Sequence, residues 1–266
     1  VVVNDLGGAV DGTGNDKSHA QQVVDEIKAM GGNAVVNGDD VSSWDGAKNM
    51  IDQAVEEFGT LDIVVNNAGI LRDRMLVNMT EDEWDLVIQV HLKGTFAPSR
   101  HAAAYWRQKS KDTGEKVNAR IINTSSTSGL YGNVGQTNYG AAKAGIAAFT
   151  IIAARELGRI GVTVNAISPT AYTRMTDTLR EYTDQDIERR DPRWVSPTIV
   201  YLSSAEASDI TGRVIQAGNG RVAVCEGWRR GAEIEQIEDV EAIGPLIREM
   251  ISSVRQNSGM DGLELD

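Results

Sequence analysis

Tyr139 and Lys143 stand four residues apart, as Tyr-Gly-Ala-Ala-Lys, in a run of helical character. At that spacing both side chains leave one face of a helix and reach one small volume. Ser126 precedes them, just past the apolar run 120–124 (Arg-Ile-Ile-Asn-Thr), which reads as a buried strand. A phenol, an ammonium and an alcohol brought together suit the movement of a proton and a hydride at a carbonyl or alcohol carbon. A free phenol titrates near ~10, too high for a base at neutral pH. A neighbouring ammonium favours the phenolate and is expected to draw that value toward the working range. The serine hydroxyl is expected to hold the substrate oxygen. Taken alone, a Tyr-x-x-x-Lys pair is also what an ordinary helix surface carries, so the weight rests on the segments around it.

The elements that must position these groups alternate. The runs 1–4, 33–37, 61–65, 120–124, 162–167 and 213–216 are predicted as strands. The runs 18–30, 42–58, 80–109, 139–157 and 197–203 are predicted as helices, the third opening on the capping-box pair Thr80 and Glu83. Apolar strands alternating with helices predict an α/β fold, a doubly wound parallel sheet of Rossmann type with helices on both faces. Ligands in such sheets bind beyond the carboxyl ends of the strands. Asp5, Asp40, residues 66–69, Ser125, Ser126 and residues 168–176 all fall on that edge. The domain is predicted over 1–217, with 213–216 as its last strand. Residues 218–266 read as a C-terminal extension, with an amphipathic helix at 239–254 that places Val240, Ile243, Ile247, Met250 and Ile251 on one face.

Composition narrows the class. The chain has 266 residues, 41% hydrophobic and 24% charged, enough for one domain with a full core. A net charge of −12 argues against a nucleic-acid or anionic-membrane surface. One cysteine, Cys225, excludes an internal disulfide and fits a reducing, cytoplasmic setting; it reads as a stray thiol. Three histidines and one cysteine offer no metal-ligand cluster. No apolar run approaches the ~18 residues of a membrane span.

With these residues in view, the chain resembles the short-chain dehydrogenases/reductases from about residue 1 to 218. The matching segments are Asn66-Asn67-Ala68-Gly69, the trio Ser126, Tyr139 and Lys143, and Asn165-Ala-Ile-Ser-Pro169 followed by Thr173. Within the family it is most similar to the (3R)-hydroxyacyl-CoA dehydrogenase domains of peroxisomal multifunctional enzymes of type 2 and their bacterial relatives. That likeness lies in VVVNDLGG at 1–8, NNAGILRDR at 66–74, VHLKGTF at 90–96 and YGNVGQTNYGAAKAG at 131–145. The resemblance implies NAD as cofactor, with NADP disfavoured because Asp5 would bind the adenosine ribose hydroxyls and repel an added phosphate. It places Asp40 and Val41 at the adenine, Asn67, Ala68 and Gly69 along the cofactor backbone, and Tyr139 and Lys143 at the nicotinamide ribose. Ile167, Pro169 and Thr173 would meet the carboxamide. Read by themselves, Asp5 also suits a turn, Asp40 a helix-leading acid and Thr173 a surface position.

Three departures from the family pattern stand out. His91 occupies the place of an Asn that holds a water in a proton relay; a histidine titrating near ~6.5 would serve such a relay, while a core or interface histidine is the more ordinary expectation. Thr170 replaces a Gly, and the stretch to Thr173 is one residue short. The strand and Thr-Gly-x-x-x-Gly-x-Gly turn that would hold the pyrophosphate are not in the sequence. The loop at 6–16, with Gly7, Gly8, Gly12 and Gly14, is not a substitute, because Asp5 and Asp11 give it the wrong charge for phosphate. The sheet is therefore expected to lack a strand between its first and third visible ones. The sequence reads as starting about 30–40 residues into the domain, the usual length of one strand–helix unit.

The expected activity is hydride transfer between NAD and a secondary alcohol or ketone, a 3-hydroxyacyl-CoA/3-oxoacyl-CoA pair. Alternatives are a hydroxysteroid dehydrogenase, a 3-oxoacyl-carrier-protein reductase, or a non-catalytic partner subunit of the same fold. The segment 177–193, with Arg180, Arg189 and Arg190, is expected to cover the substrate and to suit a phosphate-bearing acyl carrier. A homodimer or homotetramer joined through 80–109 and 139–157 is the implied assembly.

Overall fold

Short β-branched runs become strands, and the longer amphipathic runs between them become helices. The computed structural model describes residues 1–8, 11, 18–173, 176 and 182–264. In chain order the first elements are β1 (Val2–Asn4), α1 (Ser18–Ala29), β2 (Val35–Asn37), α2 (Trp44–Phe58), β3 (Ile63–Asn66) and α3 (Glu81–Ile88). Then come α4 (Gly94–Thr113), β4 (Ala119–Thr124), α5 (Thr127–Tyr131), α6 (Thr137–Leu157) and β5 (Val162–Thr170). The last are α7 (Asp184–Arg189), α8 (Ser196–Ser203), β6 (Val214–Gly218), β7 (Arg221–Cys225) and α9 (Val240–Ser252).

The strands run β3-β4-β5-β6-β7, with β1-β2 as a separate parallel pair. Among the described residues every pairing between these strands is parallel except β6 with β7. β4 shows why both faces are covered. Ile121 packs into a cluster with Val64, Trp106, Ala154 and Val164. Its neighbour Ile122 points the other way, onto Ile167, Val195 and Leu202. Successive side chains on a strand alternate faces, so each face needs its own helix layer. The indole N–H of the buried Trp106 donates to the Leu61 carbonyl at 2.7 Å, so that its burial leaves no donor unmade. Among the described residues no pairing joins β1 to β3. The break falls where the sequence predicts an unfilled strand. Val2 still packs on the Leu61 and Val64 cluster, while Ile63 and Val65 of β3 are 43% and 45% exposed.

Two expectations are corrected. The helix predicted over 80–109 begins as foreseen, with Thr80 and Glu83 closing a reciprocal capping box, but it is not continuous. A π-type turn at Gln89–Lys93 separates α3 from α4. Pro98 lies inside α4 and has no N–H to return to the preceding turn, and a widened turn is one way a helix accommodates a break in its ladder. The strand at 213–216 is not the last one. β7 lies within the stretch assigned to the extension and pairs antiparallel with β6 through an Asn219-Gly220 turn. Of the loop at 6–16, Gly12 and Gly14 lie outside the described residues; Gly7 turns its amide back onto Asp5 Oδ1 at 2.7 Å. The helix foreseen at 239–254 forms as α9, its Asp239 carboxylate accepting the Glu241 and Ala242 amides. Beyond it, Gly262 lies against Tyr131: a Cβ there would stand 3.1 Å from the phenol oxygen. Among the described residues no helix is long and apolar enough to cross a membrane, and no His/Cys/Asp/Glu cluster has metal-holding geometry.

Candidate active site

The site is assembled where β4 ends. Ser126 is extended (φ −160°) and caps α5. Its Oγ accepts the Ser128 amide at 3.2 Å, and its hydroxyl favours the phenolate of Tyr139. α6 is tied to the same strand end by two bonds from opposite directions. Ser125 Oγ donates to the Lys143 carbonyl at 2.9 Å, and Lys143 Nζ donates to the Thr124 carbonyl at 2.7 Å. α5 lies close enough on α6 that a Cβ on Gly129 would stand 2.5 Å from the Ala144 amide nitrogen. Only a glycine fits that contact. Lys143 Nζ sits 5.4 Å from the centre of the Tyr139 ring. The trio singled out from spacing is thus one cluster.

Its electrostatics differ from the expectation. The phenol of Tyr139 is pushed above its ordinary value, not below it. Burial is the largest cause, the Asp73 charge adds to it, and the Ser126 hydrogen bond works against it. Lys143 is pushed from 10.5 down to about 7 by burial. Taking either charge out of water is costly, and that cost outweighs their mutual attraction here. At neutral pH Tyr139 is a proton donor, and Lys143 titrates within the working range.

His91 belongs to the π-type turn and is buried, 2% exposed. Its ring meets Tyr139 edge-on at 5.0 Å between centroids. Nε2 lies 2.8 Å from the Ile70 carbonyl oxygen and 3.2 Å from the Ile70 amide nitrogen, and Nδ1 has no hydrogen-bond partner. Burial first, and the Lys143 charge second, push His91 down to about 3. The expected titration near neutrality is therefore corrected: His91 is a neutral imidazole beside the trio. Gly69, assigned to the cofactor approach, is the residue that admits this ring. A Cβ at Gly69 would stand 2.3 Å from His91 Cε1. We expect Gly69→Ala to destabilise the fold by about 1–3 kcal/mol. Adding His91→Ala to that variant should recover most of the loss, a coupling that urea denaturation of the double-mutant cycle measures.

The remaining assigned residues take these places. Asp5 ends β1, its Oδ1 holding the Gly7 amide. Asp40 is engaged by the Ser42 amide and hydroxyl, both at 2.8 Å, the helix-leading arrangement. Val41 packs on Ala47, Met50 and Ala97. Asn67 Oδ1 accepts from Thr124 Oγ1 at 3.2 Å, with Ala68 beside it. Ile167 is buried in β5, where Pro169 pairs with Ala217. Thr173 lies on an exposed turn, its amide donating to Thr176 Oγ1 at 2.9 Å. In the covering segment, Arg180 lies outside the described residues. Arg190 lies over the Tyr182 ring at 5.7 Å, and Arg189 reaches the Gly220 turn. Spacing did not reveal Asp73, Gln136 or Asn138. The Asn138 amide donates to the Arg72 and Glu83 carbonyls, both at 3.0 Å. The edge suits a dinucleotide. An ammonium has three donors, and Lys143 gives one to Thr124, which leaves donors for paired ribose hydroxyls. The Asp5 carboxylate is an acceptor of the right kind for such hydroxyls at the β1 end.

A parallel sheet wrapped by helices, with Ser, Tyr and Lys converging on one strand end, defines an oxidoreductase of the dinucleotide-binding α/β class. The chain belongs to the short-chain dehydrogenase family, whose model matches residues 5–186. It is 48% identical over 223 residues to the hydroxyacyl-CoA dehydrogenase ChsB1 of Mycobacterium tuberculosis, covering 80% of this chain and 68% of that one. It is 41% identical over 232 residues to the peroxisomal hydratase-dehydrogenase-epimerase of Neurospora crassa, covering 87% of this chain. The chain spans 24% of that longer protein. A short chain dehydrogenase from Mycobacterium avium superposes with a TM-score of 0.85 at 48% identity, over 97% of this chain and 87% of that one. The protein is accordingly an oxidoreductase acting on CH–OH groups, in a family that uses nicotinamide dinucleotides.

Proposed function

We propose that this protein interconverts a 3-hydroxyacyl-CoA and its 3-oxoacyl-CoA, with NAD in preference to NADP. The observation that carries the reading is the convergence of Ser126, Tyr139 and Lys143 at the end of β4, with Lys143 Nζ donating to the Thr124 carbonyl at 2.7 Å and lying 5.4 Å from the centre of the Tyr139 ring. A nicotinamide dinucleotide, when bound, supplies the hydride acceptor or donor. Ser126 holds the substrate oxygen by its hydroxyl. Tyr139 gives that oxygen a proton in reduction and takes it in oxidation. Lys143 contributes positive charge beside it. The phenol, pushed up by burial, is already in the donor form that ketone reduction uses, so oxidation gains from rising pH. Asp5 at the end of β1 supports NAD, since a carboxylate there opposes an added phosphate. The likeness to the hydroxyacyl-CoA dehydrogenase ChsB1 supports the acyl-CoA class, as do Arg189 and Arg190 on the segment that the sequence assigns to covering the substrate.

The test is a panel of (3R)-hydroxyacyl-CoA, hydroxysteroid and hydroxyacyl-carrier-protein substrates, each with NAD and with NADP. Absorbance of the reduced cofactor follows turnover. The acyl-CoA with NAD is expected to give the highest kcat/KM. A higher value for the sterol, for the carrier protein or for NADP overturns the corresponding part of the proposal.

A further inference from the structure

Behind the catalytic trio lies a polar chain that the chemistry above does not use. Asp73 follows β3 in the loop that begins at Asn67, and Gln136 caps α6 from the other side of the site. Gln136 Nε2 donates to Asp73 Oδ2 at 2.7 Å. Gln136 Oε1 accepts from Ser128 Oγ at 2.8 Å and from Asn133 Nδ2 at 2.9 Å. With two donors on its oxygen, the amide has only one orientation, its nitrogen toward Asp73. Gln136 is 6% exposed, so none of these bonds is readily exchanged for water. Gln136 reaches both halves of the catalytic pair, Ser126 through its side chain and the Tyr139 helix through its backbone carbonyl. Ser128, held by Gln136, gives its amide to Ser126 Oγ. The Gln136 carbonyl accepts the Gly140 amide at 2.7 Å, in the first turn of the helix that carries Tyr139. The backbone closes the same frame, the Arg74 amide donating to the Gly135 carbonyl at 2.8 Å.

We propose that Asp73 and Gln136 are a positioning pair for the reaction. Gln136, oriented by Asp73, sets the relative placement of Ser126 and Tyr139 through Ser128 and the first turn of α6. This rests on the assignment of Tyr139 as the acid–base group. The charged and titratable groups around Asp73 come from four elements. Arg72 and Arg74 flank it in its own loop, and Arg74 is turned to Glu83 of α3 at 2.9 Å. Tyr139 and Lys143 face the site from α6, and His91 meets Tyr139 from the π-type turn. Gln136, a neutral group, is the hydrogen-bond partner of the carboxyl. Burial pushes Asp73 above the ordinary carboxylate range, the Gln136 bond opposes it, and the Asp73 charge in turn pushes Tyr139 up.

Asp73→Asn removes the charge and keeps an oxygen for Gln136 Nε2. The titration of Tyr139 is read from its 13Cζ resonance in tyrosine-labelled protein, assigned by its loss in Tyr139→Phe. That measurement needs no substrate, so it stands whether or not the acyl-CoA assignment does. In Asp73→Asn the resonance is expected to titrate at lower pH than in the wild type, and the pH profile of alcohol oxidation to move the same way. In the wild type the resonance is expected to step a second time at acid pH, as Asp73 takes its proton. Gln136→Ala should lower kcat by about a hundredfold through misplacement, with KM little changed. Ser128→Ala, which opens the other end of the chain, serves in its place if that variant does not fold. A Tyr139 titration that coincides in the Asp73→Asn and wild-type proteins, or no acid step in the wild type, overturns the influence of the Asp73 charge on Tyr139. Wild-type kcat in the Gln136 or Ser128 variant overturns the positioning role.

Discussion

Tyr139→Phe is expected to lower turnover by about 10³-fold or more while the protein stays folded and still binds NAD. The change removes one oxygen. The ring remains in place, packed with Ile70, Val87 and Ala142 and edge-on to His91. The phenol is pushed up by burial, so at neutral pH the wild type carries no charge there that the variant would lose. Stability should therefore stay within about 1 kcal/mol, the net worth of one hydrogen bond. What disappears is the proton given to or taken from the substrate oxygen. Binding of NAD, followed by fluorescence of the reduced form or by calorimetry, separates a chemical defect from a binding one. Retained turnover at wild-type level would refute the role assigned to Tyr139.

How far the sequence carries depends on the range of each interaction. The four-residue spacing of Tyr139 and Lys143 is local, and the helix turns both toward the end of β4 as foreseen. The capping box at Thr80 is local too. The interruption at Gln89–Lys93 was hidden because the apolar pattern runs through it; Pro98 was its only marker. β7 had a readable signal that the strand assignment passed over. Asn219 and Gly220 both take positive φ, 52° and 76°, and Asn-Gly between apolar runs is a strong hairpin signal. The titration behaviour of the site was not legible. It follows from burial, and burial of Lys143 and His91 is set by elements far apart in the chain that close over them. The Asp73–Gln136 bond joins residues 63 apart, and no periodicity points from one to the other. Gly69 was legible as a close approach, though the group that approaches it is His91.

The same burial makes Lys143 a place where function and stability oppose one another. Its ammonium titrates at about 7 when folded, against 10.5 for the free side chain. Between those values the unfolded chain holds a proton that the folded one has lost. By linkage, stability then rises with pH across that window, and the full cost of the buried charge is present below it. Each unit of difference is worth about 1.4 kcal/mol, so the cost is on the order of 5 kcal/mol for this fully buried group. Lys143→Met removes the charge and keeps the length of the side chain. It also leaves the Thr124 carbonyl without its donor, which takes back part of the gain. The variant is expected to be more stable than the wild type by about 2 kcal/mol near pH 7. As pH rises toward 9.5 the wild type should recover ground, and the two stabilities converge. His91 does not confuse this comparison, because its folded value of about 3 confines its own contribution to acid pH, below 6.5. Turnover should fall about 10³-fold in the same protein, because the positive charge beside Tyr139 is gone. Urea denaturation at pH 7 and pH 9.5 measures the first effect, and steady-state kinetics the second. A variant less stable than the wild type at pH 7 would show that the ammonium is held by partners strong enough to repay its burial. In that case the hydrogen bond to Thr124 would have to contribute far more than one carbonyl contact ordinarily does.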